Sequence, residues 1–418
     1  GLAGPVAPVL GALGVGVNVG FIGLHAWLPD TYPRPHIAAS VFLCVYTTKT
    51  GVYGMYRVFP DDGNVAVAYM GGVMAVFGAT MALFQNDMRR LLSYHIQSQV
   101  GYMVAGVGIG GALAQSGAFA HVFNHILYKG LLFMTAGVVV YRTGEESLKK
   151  LGGLARDMPV TAGAFTIAAL SIAGFPGFNG FVSKGIIISG SHYTFPKGPL
   201  PIGDFHTLEW LLLLGGIGTF MSFIKFGYYA FFHGSYDGDV RDANRGQSVA
   251  MGAVAVLCVA YGVLVPTSPL AAVVPADVGL FGILPFDVTS EAVVEKVYKT
   301  YTVDHLIEGV ALAVLGLIGF ALTKRPLSKL GRVPAVYSLY NPAVFYGTRG
   351  LVVGVTDLYA AVDRAVVGLT TATVRTVTDP QAAVRRVGSD VEIKSGIGRS
   401  VLILTLAVGI ALFGVLFL

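Results

Sequence analysis

Apolar stretches long enough to cross a bilayer divide this chain, and they constrain its fold more than any motif does. They run over residues 5–26, 37–59, 65–85, 91–111, 117–141, 208–232, 247–266, 303–323 and 400–418. A membrane-crossing helix needs about 20 mostly apolar residues, and only helices or closed barrels satisfy their backbone inside lipid. Residues 160–192 read as two shorter helices parted by Gly174-Phe-Pro-Gly-Phe-Asn-Gly180. Composition agrees. Of 418 residues, 54% are hydrophobic and 12% charged, where soluble domains carry roughly 25% charge, and the mean hydropathy is +0.68. The expected fold is an all-α polytopic membrane protein with about eleven transmembrane helices, some of them broken.

The net charge of +5 suits basic loops beside anionic lipid and gives no support for nucleic acid as a partner. Cys44 and Cys258 lie in apolar segments without CxxC or Cys/His spacing, so neither a cluster nor a structural zinc is expected, and no cofactor. Basic residues gather at Arg142, Lys149, Lys150 and Arg156, and again at Lys324, Arg325, Lys329 and Arg332. With five helices between them the two groups should face opposite sides, so either the rule that basic loops face the cytoplasm contradicts itself here or the helix count is wrong. The second group, free of acidic neighbours, is placed in the cytoplasm.

Three titratable residues stand in one register inside 117–141: His121, His125 and Lys129, at i, i+4 and i+8. On a helix that spacing stacks them on one face, with roughly 12 Å of rise from first to last. Ionisable groups at membrane depth mark ion paths or proton relays; the plainer alternative is a snorkelling lysine and two packing histidines. Lys49 lies near the middle of 37–59, just after His25-Ala-Trp-Leu-Pro-Asp30, Pro33 and Pro35. Lys184 follows the Gly/Pro interruption at 174–180. A helix, a break and then a lysine thus occur twice, as in transporters built from inverted repeats. No carboxylate in these spans offers Lys49 a partner.

His25 and His95 are secondary candidates, His95 within the polar patch Leu92-Ser-Tyr-His-Ile-Gln-Ser-Gln99. Asp87-Met-Arg-Arg90 reads as a surface loop and Glu308, after Asp304 and His305, as interfacial. The glycines at 106, 108, 110 and 111 suit helix packing rather than a phosphate loop. Over 341–378, Arg349, Asp357, Arg364 and Thr371 recur every seven or eight residues opposite Leu351, Val355, Leu358, Val362 and Val366. That is a long amphipathic helix lying along a membrane surface or a row of neighbours, followed by a terminal anchor.

His25-x-Trp-Leu-Pro-Asp30, Pro35, Ser40, Lys49-x-Gly-x-Tyr53 and Arg57 resemble the most recognisable stretch of the antiporter-like subunits of respiratory complex I, membrane-bound hydrogenases and Mrp-type cation/proton antiporters. Arg90-Leu-Leu-Ser-Tyr94, Ser98-Gln-x-Gly-Tyr102, His121-x3-His125-x3-Lys129 and Pro176-x2-Asn-Gly-Phe-x-Ser-Lys184 follow in that family's order over roughly residues 1–265.

The resemblance implies a proton path through two inverted repeats, each with a broken helix carrying a lysine. In it Lys49 matches the lysine of the first repeat, Lys129 and Lys184 the central and distal lysines of the second, and His121 and His125 the histidines leading into the central one. A lysine at 184 is similar to the D-type member of Mrp antiporters and to the distal complex I member. The partners implied are other membrane subunits of a multisubunit complex, protons and Na⁺, and the lipid bilayer of the cytoplasmic membrane. In complex I the assembly would be an NADH:quinone oxidoreductase, with no redox site in this chain.

The family normally carries about five more helices upstream, including a glutamate facing Lys49, so on this reading the sequence is a fragment or a split product. Residues 1–111 then read as the end of one repeat and the start of the next, and 112–265 as the second repeat with the path. Residues 266–340 form a connecting region with one helix, 341–395 the lateral amphipathic helix and linker, and 396–418 the anchor. The D-type Mrp member is the reading preferred, and three alternatives stay open. One is the distal member of complex I or of a membrane-bound hydrogenase, which the long amphipathic helix and final span resemble more than a minimal D-type subunit. Another is a redox-active subunit with its own haem or quinone, which two histidines on one helix serve poorly. The third is a structural brace with degenerate ion sites.

Overall fold

The computed structural model describes residues 6–196, 198, 203–264, 300–329, 337–379, 382 and 397–417. The expected loop 267–302 falls almost wholly outside the described residues, as do Arg332 and the linker 383–395. Two units form, residues 1–337 and 338–418.

The first unit contains α1 (Val6–Val19), α2 (Trp27–Thr31), α3 (Ile37–Val58), α4 (Val65–Phe84), α5 (Met88–Ile109), α6 (Gly111–Thr143), α7 (Pro159–Ala173), α8 (Asn179–Tyr193), α9 (Thr207–Gly227), α10 (Arg245–Val263) and α11 (Val303–Lys329). A π-helical turn, Tyr228–Phe232, continues α9. Their starts are written in the sequence. Asn64, Asp87 and Asn244 each accept a backbone N–H from the helix they precede, which satisfies one of the orphan donors of a first turn. For α7 the cap comes from afar: Asp242 accepts from the Val160 and Thr161 amides at 2.7 and 3.3 Å.

Helix α5 is the central post, buried at every position except Arg90. Its neighbour α4 comes close because glycines face each other. A Cβ at Gly71, Gly78, Gly101 or Gly108 would overlap the opposing backbone, the small-residue packing usual between membrane helices. Gly110 and Gly111, at φ +78° and +69°, make the tight turn into α6.

The contacts also settle which ends share a side. Thr143 at the end of α6 accepts from the Tyr236 hydroxyl, and the start of α7 is capped from the same loop. The far end of α8 lies against the start of α6, Gly190 on Ala114. Helices α7 and α8 are therefore two halves of one crossing, interrupted at 174–178. Four crossings, not five, separate the two basic groups. Lys324 donates to the Tyr228 hydroxyl at 2.6 Å beside the 142–159 loop, whose Ala155 amide bonds Phe231. The described members of both groups thus lie on one side, and the expected contradiction disappears.

A second interruption escaped the sequence reading. The apolar run 5–26 is not one helix: α1 stops at Val19, and Gly20 and Gly23 turn the chain at φ +80° and +94°. The freed carbonyls are met by side chains, Trp27 Nε1 donating to Val17 at 2.7 Å and Gln97 to Gly20 at 3.0 Å. The break before Lys49 thus lies here as well as at the prolines, and α3 itself runs unbroken. Nor is 87–90 a surface loop. Arg89 is buried in α5, where its guanidinium donates to the Tyr32 and Pro35 carbonyls and to Ser40 and pairs with Glu146.

In the second unit α12 (Tyr337–Thr378) is one helix of 42 residues, about 63 Å long at 1.5 Å per residue. It starts a turn before Asn341 and takes in Pro342. The side chains described along it are almost all exposed. The segment expected to be the anchor forms the apolar helix α13 (Ile397–Phe417).

Candidate functional site

His121, His125 and Lys129 are fully buried on α6. Their helix crosses α5 on one flank and α8 on the other, and His121 is held by both. Its Nδ1 lies 2.9 Å from Ser183 Oγ on α8, and its Nε2 lies 3.2 Å from both Gln99 Oε1 on α5 and the Tyr128 oxygen. These partners suit two protonation states. With the Gln99 amide as placed, its oxygen accepts Nε2–H, so the neutral ring receives the Ser183 hydroxyl hydrogen at Nδ1. When both ring nitrogens carry hydrogen, Ser183 can turn its own toward the Asn179 carbonyl, 3.5 Å away. Neither state leaves the ring unsatisfied.

Lys184, the residue after Ser183, donates to the Ile172 carbonyl at 2.7 Å. That carbonyl is freed by the break between α7 and α8, and a charge-assisted bond suits it. The Lys184 ammonium also sits 4.7 Å from the centre of the Tyr102 ring, which in turn lies 5.8 Å from the His121 ring. So the distal lysine and the first histidine share one aromatic wall. A cation over an aromatic face is attracted by the ring quadrupole.

Toward the basic side the row continues through His125 to Lys129. Both nitrogens of His125 and the ammonium of Lys129 are buried without a hydrogen-bond partner among the described residues. Buried polar atoms left by the protein are ordinarily met by water. Lys129 Nζ stands 6.0 Å from the centres of Phe133 and Phe223. The His95 ring packs on Phe223 at 4.7 Å, so His95 joins the row at its basic end. Lys49, on α3, donates to the Cys44 carbonyl and to Thr48. Among the described residues no ion pair involves Lys49, Lys129 or Lys184. His25 sits in the α1 break, packed edge-on against Phe77, away from the histidines of α6 in the contacts it makes.

Gln99, Tyr102 and Ser183 appeared in the sequence reading only within the 92–99 patch or the resemblance motifs, and Tyr128 only as the neighbour of Lys129; none was given a role in the site. Lys225 was missed altogether. It is buried near the end of α9 and donates to the Leu83 and Gln85 carbonyls at 2.8 and 2.6 Å. It closes the end of α4 and does not touch the row. Among the described residues no group of three His, Cys, Asp or Glu side chains could hold a metal ion.

Residues 7–194 match the sequence profile of the NADH:quinone oxidoreductase/Mrp antiporter transmembrane family. The chain is 38% identical over 183 residues to the L subunit of the F(420)H(2) dehydrogenase of Methanosarcina mazei, which is 40% of this chain and 27% of the relative. It is 36% identical over 219 residues to the D subunit of the Na(+)/H(+) antiporter of Alkalihalophilus pseudofirmus, 51% of this chain and 43% of the relative. The chain thus spans less than half of the length of either relative.

In fold it is similar to a chain of the membrane-bound sulfane sulfur reductase, an archaeal respiratory membrane complex. That match has a TM-score of 0.57 at 24% identity, over 97% of this chain and 68% of that one. A chain of the Mrp complex from a Dietzia species gives 0.52 at 21%, over 76% and 59%. Residues 7–194 are therefore similar to the transmembrane core of this antiporter-like family, and the chain is a multi-pass membrane protein.

Proposed function

We propose that this chain moves protons across the cytoplasmic membrane as an antiporter-like subunit of a multisubunit complex. The observation that carries the reading is the junction at His121, where α5, α6 and α8 meet on one ring whose partners accept either protonation state. From there the path runs through His125 and Lys129 toward His95 and the basic side, and through Tyr102 to Lys184 on the other. Lys49 couples to it by charge from α3. Amines and imidazoles hold protons, and once protonated they repel Na⁺, so the proton is the ion of this row; exchange against Na⁺ would need oxygen ligands elsewhere. The basic side faces the cytoplasm by the distribution of lysine and arginine.

The sequence motifs favour an Mrp assembly with this chain as its D-type member. A second reading, a subunit of a redox-driven respiratory complex, is supported by the fold match that extends over 97% of the chain, against 76% for the Mrp structure. The test is His121→Gln, which keeps hydrogen bonding and removes titration. Proton movement in vesicles carrying the intact complex should fall about 100-fold, the size of a lost acid–base group. Wild-type rates would leave the chain as a structural brace.

A further inference from the structure

The row ends at Lys184, which is buried, and the start of α11 packs near it on the side opposite the basic groups. A cavity of about 20 Å³ separates α8, α9 and α11, room for about one water. Lys184 and Tyr102 line it from within, His305 and Glu308 from α11. Helix α11 begins at Val303, so both residues lie in its first two turns, at i and i+3 on one face. Both are half-buried.

His305 is placed with care. Its Nδ1 lies 2.8 Å from the Thr300 carbonyl, which can only accept, so Nδ1 carries the hydrogen and Nε2 the lone pair. The ring stacks on Phe181 at 4.3 Å and 21°. Its Nε2–Cε1 edge presses against Gly185, the residue after Lys184, where a Cβ would collide with it. Glycine at 185 is what lets the imidazole approach the lysine's backbone so closely.

We infer that His305 and Glu308 form the port through which Lys184 exchanges protons with the face opposite the basic side. The proton leaves the Lys184 ammonium, whose nitrogen keeps the electron pair, and is taken up at His305 Nε2. The imidazolium then gives that proton to the Glu308 carboxylate one turn on, which releases it to surface water and is a carboxylate again. The reverse sequence loads Lys184. This rests on the relay reading above and gives α11 a part in it.

The experiment uses the whole complex in vesicles at equal assembly. His305→Gln/Glu308→Gln should slow proton movement at least tenfold, and added imidazole should restore it by standing in for the lost base. Glu308→Asp should retain most of the activity. Transport at the wild-type rate in the double variant, or a loss that imidazole does not restore, overturns the port. If the double variant fails to assemble, Glu308→Gln alone is read the same way. Because His121→Gln tests the relay independently, a defect there with none here rejects the port only, whereas no defect in either rejects both.

Discussion

The two interrupted crossings face the same backbone problem and solve it differently. Where α1 stops, the freed carbonyls of Val17 and Gly20 take hydrogen bonds from the Trp27 indole and the Gln97 amide, both neutral at any pH. Where α7 stops, the Ile172 carbonyl takes its bond from Lys184. Lys49, the lysine beside the first break, bonds to Cys44 on its own helix and leaves the break alone. Only at the second break is the donor itself titratable. One interruption shapes the bundle, and the other ties the shape of the bundle to the charge on a lysine.

Substitutions at the two breaks should part company. Lys184→Met removes both the carrier and the cap, so transport should fall about 100-fold with a stability loss of about 1–3 kcal/mol for the abandoned carbonyl. Measured in the same membranes, Trp27→Phe should cost about 1 kcal/mol and leave proton movement intact. A transport defect in Trp27→Phe that matches Lys184→Met would erase the distinction.

Both breaks lean on α5, through Gln97 at the first and the Tyr102 ring at the second. Gly101→Ala puts a methyl group into the backbone of α4 and should lower thermal stability by about 1–3 kcal/mol. Gly163→Ala, in open space on α7, serves as the control and should raise stability by about 0.5–1 kcal/mol, because alanine suits a helix better than glycine. The start of the broken crossing can be loosened without touching its lysine. Asp242→Ala removes the cap of α7 and should cost about 1 kcal/mol in unfolding experiments, with transport unaffected.

The smallest effect lies at the basic end of α5. Burial, with Glu146 beside it, holds the Asp87 carboxyl above its ordinary range. The folded state therefore binds that proton more tightly than the unfolded chain does. Its contribution to stability is present at low pH and is lost as pH rises through the raised value. Asp87→Asn keeps an acceptor for the Arg90 amide and should flatten that dependence in a pH series of melting curves.

Much of this was legible in sequence. The span 37–59 appears as 37–58, 65–85 as 65–84, and the interruption at 174–180 falls where Gly174 and Pro176 put it. The register of His121, His125 and Lys129 survives because periodicity on one helix is a local property. What failed depended on other segments. Hydropathy ran straight through Gly20, since an apolar stretch carries no sign of a positive φ. The tie that buries Arg89, the cap on α7 and the closure of α4 by Lys225 are made by partners 49 to 142 residues away. The side of the two basic groups was misjudged for one reason: two half-helices were counted as two crossings.

Proton movement by the whole complex in inverted vesicles, wild type against Lys129→Ala at equal assembly, tests the relay most directly. Lys129 is the buried centre of the row and caps no helix, so its loss should abolish transport while the complex stays intact. Unchanged transport would contradict the path and leave this chain a scaffold.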